Sequence, residues 1–164
     1  LLNLEIVDAG NRMAFVETHL LAELLGRKHD CLAQLYELGG QQLALVESGD
    51  ITQLLKVLAA KQRLLERLQE IEGELDPFRS QHPDERQWSS AEERGRCSQV
   101  IERSESLFRD ILAREKQSEQ LLGLRRDDAA ARLEQAHTAS QARGAYGTSH
   151  VRPLGRLDLS SEVA

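Results

Sequence analysis

The sequence predicts an all-α chain: an elongated antiparallel bundle, or coiled coil, of three long helices followed by a partly disordered C-terminal tail. Three observations carry this expectation. Of the 164 residues 40% are apolar and 29% charged but only 4% aromatic, the leucine- and alanine-based composition that long helices use. Apolar residues recur at spacings of three and four over long stretches rather than alternating. The three prolines, Pro77, Pro83 and Pro153, fall between these stretches or after them. Residues 1–143 are expected to form the helical bundle domain and 144–164 a flexible tail.

The first helix is expected over about 12–47. Leu24, Cys31, Leu38 and Leu45 recur every seven residues, and Leu21 and Leu35 supply the second seam position. Leu25, Leu32 and Val46 widen the seam into the stripe of a bundle helix. Lys28 and Gln42 interrupt it. Gly39-Gly40, each costing about 1 kcal/mol in a helix interior, predicts a bend or fraying there.

The second helix is expected over about 50–75. Asp50-Ile51-Thr52-Gln53 reads as a capping box, with a side-chain oxygen at the cap and Gln three residues on. Ile51, Leu54, Leu55, Leu58, Leu65, Leu68, Ile71 and Leu75 form its apolar set. Asp76-Pro77 should end it, because the residue before proline is pushed out of the helical region. Residues 76–89 then form the longest connection, with Trp88 and Phe78 expected to cover the end of the bundle.

Ser90-Ala91-Glu92-Glu93 is a second capping box, opening a helix expected over about 90–142. Its stripe begins Cys97, Val100, Ile101, Leu107, Phe108, Ile111, Leu112 and continues to Leu121 and Leu122. After Leu124 the segment becomes alanine-rich, with Leu133, Ala136 and Ala139 as a narrow seam. At 1.5 Å per residue the three helices would be about 50, 40 and 75 Å long. The second is matched by the third only to around Gln117, so the remainder needs a partner, a fold-back or partial disorder.

Composition excludes several functions. A net charge of −6 and a pI near 5.4 argue against a dedicated nucleic-acid binder, which needs a concentrated basic face. No apolar run approaches the roughly 18 residues of a membrane span, and no basic region precedes an apolar leader, so a cytoplasmic protein without membrane insertion is expected. Cys31 and Cys97 occupy apolar helical positions without CxxC or Cys/His spacing and read as core thiols. Glu134-Gln135-Ala136-His137 has the Glu-x-x-His spacing of carboxylate metal sites, but no second such pair occurs. With no phosphate loop, nucleophile elbow or zinc pattern, no catalytic residue, metal or other cofactor is expected. Lys61 to Arg67 reads as a solvated face with salt-bridge options.

The stretch from Val46 to Leu65, with Gly49-Asp50, Leu54, Leu58, Lys61-Gln62 and Leu65 as matching elements, resembles the centre of the FlgN-like flagellar export chaperones. The resemblance extends more loosely from about Phe15 to Ala142. It implies a chaperone that binds hook-filament junction proteins through its C-terminal helical part before type III secretion, and it allows contact with the export apparatus. That part coincides with the overhang deduced from helix lengths. Helix addition would be the mechanism, a client segment laying its apolar face on the exposed stripe. Leu121, Leu122, Leu124 and Leu133 are the expected client contacts, with Val151, Leu154 and Leu157 as tail anchors. For Leu121 and Leu122, intramolecular packing or self-association is an equally good reading of the residues. The competing class is a structural coiled-coil adaptor that self-associates or scaffolds other proteins; either a monomer or a homodimer is compatible with the pattern.

Overall fold

The structure, a computed structural model, describes residues 2–148 and the side chains of residues 17–147. These residues are all-helical: α1 (Leu2–Ser48), α2 (Ile51–Arg79), a single 3-10 turn (Pro83–Glu85) and α3 (Ala91–Thr148), with no strand among them. The chain divides into two compact units after Leu122, and α3 contributes to both. In the first unit α1 packs against α2 through a ladder of pairs. Arg27 meets Glu74 at 3.5 Å, Lys28 meets Glu72 at 2.6 Å, and the Cys31 thiol donates to the Leu64 carbonyl at 3.2 Å. Gln42 then accepts from Lys61 at 2.6 Å, so partner numbers on α2 fall as those on α1 rise.

Local chemistry sets the turns. Gly49, at φ +78°, takes the left-handed position after α1, and its N–H donates to the Leu45 carbonyl at 2.9 Å. Asp50 caps α2 by accepting from the Gln53 N–H at 3.0 Å. Asp50→Ala is expected to cost about 1 kcal/mol, read as a lower midpoint in urea unfolding followed by circular dichroism. Ser90 accepts from the Glu93 N–H at 3.1 Å, whereas the Glu93 carboxylate returns to the N–H and hydroxyl of Ser89, one residue before the expected partner. That hydroxyl bond holds the Glu93 carboxyl below the usual carboxylate range.

Several boundaries differ from expectation. α1 starts at Leu2 rather than near 12 and continues through Gly39 and Gly40 without interruption. α2 does not stop at Asp76: it runs through Pro77 to Arg79. Pro77 forfeits the N–H bond that a helix would make to the Gly73 carbonyl, and contacts formed after it hold the last turn in place. Phe78 is buried in the core, Arg79 pairs with Glu72 and Asp76, and the Ser80 hydroxyl donates to the Pro77 carbonyl at 2.8 Å. α3 remains helical through Gly144 to Thr148, six residues past the expected end.

Leu21, Leu24, Cys31, Ile71, Leu75 and Phe78 form the core cluster, with Leu25, Leu64, Leu68 and Trp88 against it. Trp88 thus joins Phe78 at the connector, as the sequence suggested. The connector is pinned to α1 by the buried Thr18 hydroxyl, which donates to the Gln87 carbonyl at 2.9 Å. On α1 Leu21, Leu35 and Gln42 keep one seven-residue series, while the other buried position passes from Leu24 and Cys31 to Leu32, Gly39 and Val46 in place of Leu38 and Leu45. A straight helix turns about 20° per heptad away from an exact seven-residue repeat, which accounts for this one-residue drift. α2 and α3 keep the strict spacing. Leu54, Lys61, Ile71, Leu75 and Phe78 are buried on α2, while Cys97, Ser104 and Ser118 are buried on α3. Ile51, Leu55, Leu58 and Leu65, expected on the buried face of α2, remain 39–61% exposed, and Ile101, Phe108 and Leu112 on α3 remain 40–53% exposed.

Candidate functional site

Four of the expected contact residues lie among the described residues, and they are not equivalent. Leu121, three residues after the buried Ser118 and in the seven-residue series of Val100, Leu107 and Arg114, is half-buried, while Leu122 is 37% exposed. Leu124 and Leu133 are 67% and 71% exposed. Nine residues apart on a helix, these two point to nearly opposite sides, so they do not form one stripe. Val151, Leu154 and Leu157 lie outside the described residues.

Every residue from 124 to 147 is exposed, although the whole stretch is helical. Its alanines favour the helix intrinsically. Local pairs add to this: Arg132 meets Asp128 at 2.9 Å, the Thr138 hydroxyl donates to the Glu134 carbonyl at 3.0 Å, and Gln141 meets His137 at 3.0 Å. Such contacts are worth a few tenths of a kcal/mol each, far less than the burial of an apolar face supplies. Leu133 shares its side with Ala129, Ala130, Ala136 and Ser140, small residues that let a second helix approach closely. His137 and Glu134 are both exposed, and among the described residues no group of three or more metal-ligating side chains forms.

Within the first unit two further features stand out. A cleft of about 480 Å³ is walled by Leu21 and Leu25 of α1, Leu68, Leu75 and Phe78 of α2, Trp88 of the connector, and Cys97, Ile101 and Phe108 of α3. Lys28, Glu72, Arg79, Arg86, Arg94 and Glu105 supply its charged margin. Glu72 is shared by Lys28 and Arg79. Burial lowers the Lys28 ammonium pKa from its ordinary value, Arg79 lowers it further, and Glu105 opposes the shift. Burial likewise raises the Cys97 and Cys31 thiols, which leaves both as poor nucleophiles at neutral pH.

The second feature is a polar level across all three helices. Lys61, only 7% exposed, donates to Gln42 of α1 and to Glu115 of α3. Beside it the Arg114 guanidinium lies 3.6 Å from the Tyr36 ring centroid and donates to the Tyr36 carbonyl at 2.8 Å. Gly40 leaves room for this approach: a Cβ there would stand 3.0 Å from Arg114 Nη1, and the guanidinium would have to give by a few tenths of an ångström. The sequence-based placement of Lys61 on a solvated face is therefore corrected. Its position seven residues after Leu54 and seven before Leu68 was the available signal. No helix among the described residues is long and apolar enough to cross a membrane. Comparisons with known protein families, curated proteins and solved structures found no match to this chain.

Proposed function

We propose that this chain is a cytoplasmic chaperone of the FlgN-like flagellar export kind, built as an antiparallel three-helix bundle. Its clients are hook-filament junction proteins, bound through the C-terminal helical region so that they do not associate before type III secretion. One observation carries this reading: a helix whose residues 124–147 are all exposed, with Leu124, Leu133 and Tyr146 exposed to 67–78%. Such a segment gains most of its stability when a partner covers it. Coupled ordering of that partner lowers net affinity, which suits a protein that must release its cargo. The antiparallel arrangement is supported by the falling α2 partner numbers along α1.

The test is calorimetric titration of the full chain with the terminal helical segment of a hook-filament junction protein. Saturable binding is expected. Leu122→Asp combined with Leu133→Asp should weaken it about a hundredfold, as two lost contacts of 1–2 kcal/mol would, while circular dichroism shows unchanged helicity. A double variant that binds normally sinks this contact surface. Absence of binding together with a stable dimer in light scattering would instead support a structural coiled-coil adaptor, for which the exposed Ile51, Leu55 and Leu58 of α2 supply an apolar face.

A further inference from the structure

We infer that the cleft between α2 and α3 seats an amphipathic helix of the protein partner, apolar along one face and acidic at one end. This site is separate from the exposed helix beyond Leu122, and the inference rests on the client-binding reading for its choice of probe.

The cleft has a floor, two rims and two ends. Its floor is the apolar side of α1 at Leu21 and Leu25. A shallower hollow along α2 contains Leu65 and shares Leu68, Glu72 and Arg79 with the cleft, so that rim extends outward. The α3 rim carries Ile101 and Phe108, with Leu112 one turn on. At one end the Lys61–Glu115 pair ties α2 to α3, and at the other lie Arg86 and Trp88. Along α3 the lining from Arg94 to Phe108 spans about 21 Å at 1.5 Å per residue, room for about four helical turns.

Breadth decides what kind of molecule fits. Leu65, Ile101, Phe108 and Leu112 are 40–53% exposed, so the apolar surface continues onto both rims. A slender acyl chain would fill the floor and leave those apolar rims in water. A helix seated over the cleft covers floor and rims together, as a bundle helix does. Ile101 and Phe108 stand seven residues apart, the repeat that a facing helix presents.

Charge decides its orientation. Lys28 and Arg79 are engaged with Glu72, but neither Arg86 nor Arg94 has a carboxylate partner among the described residues. Both line the cleft, Arg86 on the connector and Arg94 in the first turns of α3, and of its carboxylates Glu105 sits farther along that helix. Acidic residues at the partner's matching end would complement these guanidinium groups and fix its direction.

Trp88 is the single tryptophan of the chain and lines the cleft, so it reports occupancy. The probe is the same terminal segment of a junction protein, free of tryptophan, added to the full chain. Its binding should shift Trp88 emission saturably. Phe108→Asp and, independently, Arg94→Glu should each weaken binding at least about tenfold without altering helicity or the melting temperature. Replacing the probe's Asp and Glu by Asn and Gln should cause a similar loss. Cleft variants whose Trp88 response matches wild type, while Leu122→Asp with Leu133→Asp weakens calorimetric binding about a hundredfold, would overturn this site and leave the chaperone reading intact. No binding by the wild-type chain would overturn both. A saturable Trp88 response to dodecanoate with none to the peptide would assign the cleft to a lipid instead. A dimer that Phe108→Asp dissociates would assign it to a second copy of the chain.

Discussion

Ile71→Ala is expected to lower the unfolding free energy by about 3–4 kcal/mol. Ile71 is completely buried, within the cluster formed by Leu21, Leu24, Cys31, Leu75 and Phe78. Truncation removes apolar area from that cluster and leaves a cavity that helices fixed on both sides relax into only partly. Urea unfolding should show a lower midpoint with an unchanged slope, the sign of lost stability rather than altered compactness. Leu58→Ala, on the same helix but 39% exposed, is the control and should cost no more than about 1 kcal/mol. Equal losses at the two positions would show that a second molecule buries the outer face of α2 in solution.

Glu115→Ala should cost about 2–3 kcal/mol, although Glu115 itself is half-exposed. The loss arises from the Lys61 ammonium, which would keep Gln42 but lose its counter-ion while remaining 7% exposed. Removing the whole group gives a different result. Lys61→Met with Gln42→Leu replaces the buried polar pair by apolar side chains of similar volume, and stability should stay within about 1 kcal/mol of wild type or rise. Guanidinium unfolding of the single and double variants checks both statements. A double variant as unstable as Glu115→Ala would mean that the polar level contributes net stability and not only specificity.

The helices were legible because their apolar spacing is long and regular and because Asp50 and Ser90 cap by local hydrogen bonding. Boundaries set by distant contacts were not. Pro77 signals an ending by its own chemistry, yet burial of Phe78 and the pairing of Arg79 carry α2 past it. Leu38 and Leu45 looked like seam residues by counting sevens, but the drift of a straight helix places Gly39 and Val46 inside instead. Exposed leucines in the C-terminal helix followed from the absence of matching length. The α2–α3 cleft did not, because Ile101, Phe108 and Leu65 read as ordinary stripe residues until the strict seam beside them is known. Lys61 reads as solvated because its polarity masks its register.

Gly40, Arg114, Lys61 and Glu115 together act as a datum mark along the first unit. A slide of α3 by one heptad against α1 would bring Leu107 or Leu121 to the glycine pair and take the Arg114 guanidinium away from the Tyr36 ring and carbonyl that now hold it. The helices are thus indexed at one level, and their lengths on either side of it are independent variables. Residues added in the turn at Gly49 or in the 80–90 connector would change how far each helix extends without changing which residues meet at the mark.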